Sequence, residues 1–201
     1  MSTPRDLMIV AMDVVPERPV ETGDLSLALA GAEVIDLLAA DAVTLDGDLI
    51  VPNLQVPLED GLLDESATSL VRETPYESVE DWLWRRGRGL SLAYLTALEA
   101  EGLVARQRAR WIPVRTGRTA LVDSPARTRA TDRWTEGEPV LAQLAAAVGI
   151  RAVPDEDSAK ITDEALNAVL AVVHGAVTEL EAVRQRKTVE DAAYDNVWRG
   201  M

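Results

Sequence analysis

The sequence has no cysteine and no phenylalanine, and only one histidine occurs among its 201 residues. The absence of cysteine excludes disulfides, thiolate metal ligands and cysteine nucleophiles. Tryptophan and tyrosine are the only aromatic residues, so leucine, valine and alanine must fill most of the core. Aliphatic residues at helical spacing favour a mainly helical fold.

Long hydrophobic runs are missing as well. The apolar run near the N-terminus is interrupted by Asp6 and Asp13 before it reaches the length of a signal core. No other stretch approaches the roughly 20 apolar residues that a membrane span requires. We therefore expect a soluble, cytoplasmic protein, with any membrane contact peripheral and on the cytoplasmic membrane face.

The inventory of catalytic residues is poor. His174 flanks the apolar seam of a long helix without the nucleophile and orienting group of a triad, and we interpret it as structural. The acidic run 155–157 lacks the ligand spacing and turn glycine of a calcium loop. The Gly-Arg-Gly of 87–89 is too short for a phosphate loop and is interpreted as the end of one helix and the start of the next. We predict no catalytic residue, no metal and no cofactor.

Periodicity predicts one domain over residues 1–201, mainly α, built around a central buried helix with two short β-hairpins. Residues 24–40 are apolar on nearly every side of a helical wheel, which is typical of a helix at the centre of a bundle. Period-two alternation predicts hairpins at 43–51 and about 103–122. Further helices are predicted at 62–73, from Ser78, at 90–101, from Asp123-Ser124-Pro125, and at 139–148, 162–187 and 188–199.

Charge reverses in the middle of this acidic chain. The segment from Trp82 to Trp134, here called the basic segment, holds eleven arginines against four acidic residues, a net charge of +7. The whole chain carries −14, so the rest sums to −21. Such an asymmetry indicates a localised anion-binding face.

Two groups of arginines are candidates for that face. Arg127 and Arg129 fall in the opening turns of a predicted helix, where guanidinium groups and free backbone N–H groups together outline a phosphate site. Arg106, Arg108 and Arg110 alternate and would share one strand face, followed by Trp111. That face would be either a membrane or partner surface or a merely solvated one.

Several stretches resemble the bacterial branch of the Golgi phosphoprotein 3 family. They are LALAGAEVIDLLAADAVTLDG, EDGLLDESATSLVRE, SVEDWLWRRGRGL and LAYLTALEAEGLV, and the resemblance spans about residues 5–134. It implies a single, mainly α-helical domain that associates peripherally with membranes through phosphorylated inositol lipid headgroups.

The resemblance also implies where a headgroup would bind. By register, the family's arginine in the central helix falls on Ala30, and no tryptophan precedes Trp82. Headgroup binding would then rest on the basic residues around and after the second hairpin, which are Arg127, Arg129, Arg118 and Arg115.

Two functions of different class remain in competition. The first is a non-enzymatic peripheral adaptor for anionic phospholipid headgroups or membrane-protein tails. The second is a winged-helix nucleic-acid reader with Arg106, Arg108 and Arg110 in its wing, using phosphate contacts for affinity. The charge of −21 outside the basic segment and the lack of a basic recognition helix disfavour nucleic acid. A homo-oligomer is compatible with either function.

Overall fold

The computed structural model describes residues 2–16, 18–53, 58, 60–106, 119–150 and 161–199, with side chains at all of these except 106, 119 and 192–199. The described helices are α1 Thr3–Asp13, α2 Thr22–Ala39, α3 Gly61–Thr68, α4 Val79–Arg86, α5 Leu90–Ala100, α6 Pro125–Thr135, α7 Pro139–Ala147 and α8 Glu164–Arg199. The strands are β1 Val43–Asp46, β2 Leu49–Pro52, β3 Val104–Arg106 and β4 Thr119–Leu121.

Helix α2 lies at the centre of the domain, as its apolar wheel predicts. Helices α1, α3, α4, α5, α7 and α8 all pack against it. Thirteen of its residues are buried, and these include Asp24 and Glu33 as well as the apolar ones. The prediction of a mainly α single domain around a buried central helix is confirmed.

Both predicted β-ribbons occur as antiparallel strand pairs. In the first, Leu45 pairs with Ile50 and Asp46 with Leu49, and Gly47 adopts a left-handed conformation at the turn. In the second, β3 pairs with β4 through Ala105 and Ala120. The connection between β3 and β4 lies outside the described residues.

Three helices of the structure, α1, α3 and α8, differ from the prediction. Helix α1 was not predicted at all. Helix α3 ends at Thr68 instead of 73, because the backbone N–H of Ser69 already bonds Glu65 and Ser66 as a terminal cap. The two helices predicted at 162–187 and 188–199 are one continuous helix, α8. No glycine or proline lies between 176 and 199 to interrupt it.

Helix α8 also corrects the expectation about hydrophobic runs. Its stretch Glu164–Asp191 is long and apolar enough, by length and composition alone, to cross a membrane. A core helix of a soluble protein passes the same test, and α8 buries Val169, Val173 and Val177 against the domain. Its composition is therefore weak evidence for a span.

Candidate functional site

Most of the described arginines of the basic segment are paired with carboxylates. Arg85 Nε lies 2.6 Å from Glu77 Oε1. Arg133 pairs with Asp6 and, at 3.0 Å, with Glu138. Much of the positive charge that the sequence places on the basic segment is thus neutralised by acidic residues from outside the segment.

The most buried of these pairs lies in the core. Arg86 donates from Nε to Glu33 Oε2 at 2.8 Å and from Nη2 to Glu33 Oε1 at 3.0 Å. Tyr94 donates its hydroxyl to the same Oε1 at 3.0 Å. Glu33 is fully buried, and burial raises the pKa of its carboxyl. Arg86 also reaches Glu65 at the surface, 2.9 Å away.

Arg127 lies where the sequence predicts it, in the first turn of α6. Ser124 is the N-cap, and its Oγ accepts the backbone N–H of Arg127 at 3.2 Å. The guanidinium donates to Asp13 at 2.7 Å and to Asp123 at 2.6 Å. An anion at this position would have to displace both carboxylates.

Arg129 is exposed, and it makes no hydrogen bond or ion pair within the part of the chain that the structure describes. It lines a cavity of about 320 Å³ between α1, α3, α5 and α6. Among the described lining residues, three carry carboxylates, Asp6, Asp60 and Glu101, and Arg5 is the one further cation. The acidic lining makes the cavity unfavourable for an anion.

The other predicted site residues cannot be placed in a site. Arg106 ends β3, and its side chain is not among those described. Arg108, Arg110, Trp111, Arg115 and Arg118 all lie outside the described residues. The hypothesis of a basic strand face therefore stays a prediction.

The structure identifies a further candidate arginine, Arg88, in the Gly-Arg-Gly segment that the sequence analysis interpreted only as a break between two helices. Arg88 is exposed and has no hydrogen bond or ion pair among the described residues. It lines a groove of about 240 Å³, here called the Arg88 groove, formed by α2, the α4–α5 connection and α8. None of the described residues that line this groove carries a carboxylate; besides Arg88 they are Thr22, Gly23, Ser26, Leu27, Trp84, Gly87, Gly89 and Leu180.

Local sequence explains how Arg88 reaches the groove. A Cβ on Gly87 would stand 2.5 Å from the carbonyl oxygen of Leu83 in the preceding turn of α4, so a larger residue would force the backbone at the end of α4 to shift. The same Cβ would lie 3.4 Å from the Ser26 carbonyl oxygen of α2. Gly89 has φ of 73°, a left-handed value that disfavours other residues. The sequence signal that could have indicated this site is Arg88 between two glycines, each at a position that disfavours a larger residue.

The family model described as Golgi phosphoprotein 3 (GPP34) matches residues 4–192. The chain belongs to the Golgi phosphoprotein 3 family. The match runs from α1 through most of α8, well beyond the resemblance at 5–134 that the sequence motifs carry. The comparison with curated proteins finds no match. Membership of the Golgi phosphoprotein 3 family supports an adaptor-type role with peripheral membrane association.

In this member of the Golgi phosphoprotein 3 family, the centre of α2 is unsuited to a ligand. Ala30 is fully buried, and its carbonyl oxygen accepts the indole N–H of Trp82 at 3.2 Å. An arginine at position 30 would have to fit beside this buried ring. The start of α2, in contrast, is open, because Thr22 and Gly23 are exposed and Glu21 gives no side-chain cap.

Proposed function

We propose that this protein is a non-enzymatic peripheral membrane adaptor on the cytoplasmic membrane face, and that it binds anionic phospholipid headgroups through Arg88. The observation that carries the proposal is the state of Arg88, an exposed cation that has no carboxylate partner in the described chain. It lines a groove in which none of the described lining residues is acidic. Membership of the Golgi phosphoprotein 3 family supports the adaptor role.

The start of α2 supports the same site. The first N–H groups of a helix lack partners within the helix, and they carry partial positive charge. Thr22 and Gly23 provide such groups at the edge of the Arg88 groove, and no side chain caps them. A phosphate oxygen would receive a charge-assisted bond from Arg88 and neutral donors from α2.

Arg129 offers a weaker alternative. It is also exposed, but carboxylates line the cavity beside it. The two arginines also lie near opposite ends of α5, since Leu98 and Glu101 at its far end line the Arg129 cavity. That separation is about 17 Å along the helix axis for 11 residues. It exceeds the Debye length of about 8 Å at physiological salt, so the two sites can be tested separately.

Vesicle flotation tests the proposal. We expect Arg88→Gln to weaken partitioning onto vesicles of phosphatidylcholine with an anionic phospholipid by roughly fivefold, from about 1 kcal/mol per cation at a membrane surface. Arg129→Gln is the matched control, because it removes another exposed charge that has no partner among the described residues. Equal flotation of wild type and Arg88→Gln at low salt would remove Arg88 from the site.

A further inference from the structure

We propose that the Arg88 groove selects lipids whose headgroup carries a single negative charge as a phosphodiester, in preference to lipids that end in a phosphomonoester. This inference rests on the proposed function, and it concerns which headgroups the same site accepts. It follows from the number of cations that the groove can offer.

Among the residues that the structure describes, one cation lines the groove. Arg85, on α4, is committed to Glu77 at 2.6 Å and contacts the Trp82 ring. Arg184, on α8, is committed to Asp24 and lies 3.7 Å from Glu21. Arg88 is thus the single cation available to a ligand among the groove's described residues.

A second charge on the ligand would go uncompensated. A phosphodiester carries one negative charge, whereas a phosphomonoester carries about 1.5 to 2 near pH 7. The groove lining includes Leu27, Trp84 and Leu180, which cannot stabilise the excess charge. A singly charged headgroup therefore matches the site better.

The surroundings of the groove favour a lipid over a soluble phosphodiester. Leu92, four residues after Arg88 in the first turn of α5, is 64% exposed. An exposed leucine on the helix that follows Arg88 suits contact with a bilayer, where the side chain can leave water. The groove itself is lined in part by apolar side chains.

Two vesicle types separate headgroup chemistry from surface charge. One contains phosphatidylcholine with phosphatidylglycerol, a phosphodiester; the other contains phosphatidylcholine with phosphatidic acid, a phosphomonoester, in proportions adjusted to equal zeta potential. At about 0.15 M salt we expect wild type to partition roughly fivefold more strongly onto the phosphodiester vesicles, as one uncompensated charge near a membrane implies. Arg88→Gln should bind both types weakly and equally.

A second variant tests the membrane contact. Leu92→Ser changes an exposed side chain, and we expect it to weaken partitioning onto both vesicle types while keeping the preference. Soluble glycerophosphoglycerol should compete poorly with vesicles. Competition at micromolar concentration, with Leu92→Ser unchanged, would overturn the membrane source of the ligand.

The outcomes distinguish this inference from the proposed function. Equal or stronger partitioning onto phosphatidic acid vesicles, still lost in Arg88→Gln, would overturn the charge selection and leave the adaptor function standing. Absence of wild-type binding to either anionic vesicle would overturn the proposed function, and this inference with it. A preference for phosphatidylglycerol that survives in Arg88→Gln would assign the selection to another surface.

Discussion

Partners decide what each arginine of the basic segment can do. Arg86 and Arg88 are two positions apart in sequence. The guanidinium of Arg86 forms ion pairs with Glu33 and Glu65, whereas Arg88 is exposed and has no partner among the described residues. The two side chains extend in different directions. Arg86 is the last residue of α4 and reaches back over α2 toward the core, whereas Arg88 follows the Gly87 turn outward.

Replacing Glu33 tests how much the domain depends on the buried pair. We expect Glu33→Gln to lower the free energy of unfolding by about 3 kcal/mol, because it leaves the Arg86 charge without its buried partner. Urea denaturation followed by circular dichroism measures this. Glu65→Gln is the control on the same arginine; Glu65 is 63% exposed, so its loss should cost less than about 1 kcal/mol. Equal losses in the two variants would contradict the assigned role of the core pair.

His174 gives a pH dependence whose sign follows from burial. Burial lowers the pKa of its imidazole below the ordinary value of 6.5, so the unfolded chain takes up a proton more readily than the folded one. The stability from the neutral imidazole is present above pH 6.5 and is lost as pH falls through the folded pKa.

Replacing this single histidine should flatten that part of the stability profile. As pH falls from about 7 to about 5, we expect the unfolding free energy of wild type to decrease more than that of His174→Gln. Denaturant midpoints across that range measure it, and an NMR titration of the imidazole reports the folded pKa directly. A folded pKa above 6.5 would reverse the sign.

At the scale of elements, the contact between α2 and α8 depends on a glycine. A Cβ on Gly31 would stand 2.3 Å from Val173 Cγ2, closer than packed atoms approach. The absence of a side chain at 31 therefore allows α8 to lie directly against the central helix. Gly175 is also helical, yet nothing lies within 4 Å of a Cβ built there.

The two glycines predict opposite effects of the same substitution. Gly31→Ala should destabilise the protein by about 1 to 3 kcal/mol through overpacking against Val173. Gly175→Ala should stabilise it by up to about 1 kcal/mol, since alanine is the better helix former. Thermal unfolding of both variants compares them. Stabilisation by both would show that α8 can shift away from α2 at little cost.

At the scale of the whole molecule, the net charge of the basic segment is not a surface property. Glu33, Asp6 and Asp13 lie outside the segment in sequence, yet each binds one of its arginines. The exposed, unpaired cations among its described side chains are Arg88 and Arg129. A charge sum along the chain thus overestimates the positive field that a polyanion would meet.

This pairing predicts weak interaction with nucleic acid. A duplex must be neutralised at many phosphates to be bound at physiological salt, whereas a single headgroup needs few contacts. We expect no measurable binding to random-sequence duplex DNA at about 0.15 M salt in a fluorescence polarisation titration. Micromolar binding that is abolished by replacing Arg106, Arg108 and Arg110 would instead favour the winged-helix hypothesis.

The sequence by itself determined most of the elements, because their signals are local, although it missed α1 and divided α8 into two helices. Apolar periodicity gave the central helix, period-two alternation gave the first hairpin, and Ser78 and Ser124 cap α4 and α6 as predicted. The turn of that hairpin consists of Gly47 and Asp48, since Asp46 pairs with Leu49 in the strands. Family membership was also readable from the order of such segments.

Only the tertiary structure decided which charges remain free. Ion pairs such as Arg86 with Glu33 and Arg127 with Asp13 join residues 53 and 114 positions apart, a separation that no local pattern encodes. Arg127 looked available and is paired, whereas Arg88 looked structural and is free. Coulomb attraction acts over a few ångströms in space, so the packing of α1 and α2 against α4 and α6 selects the partners.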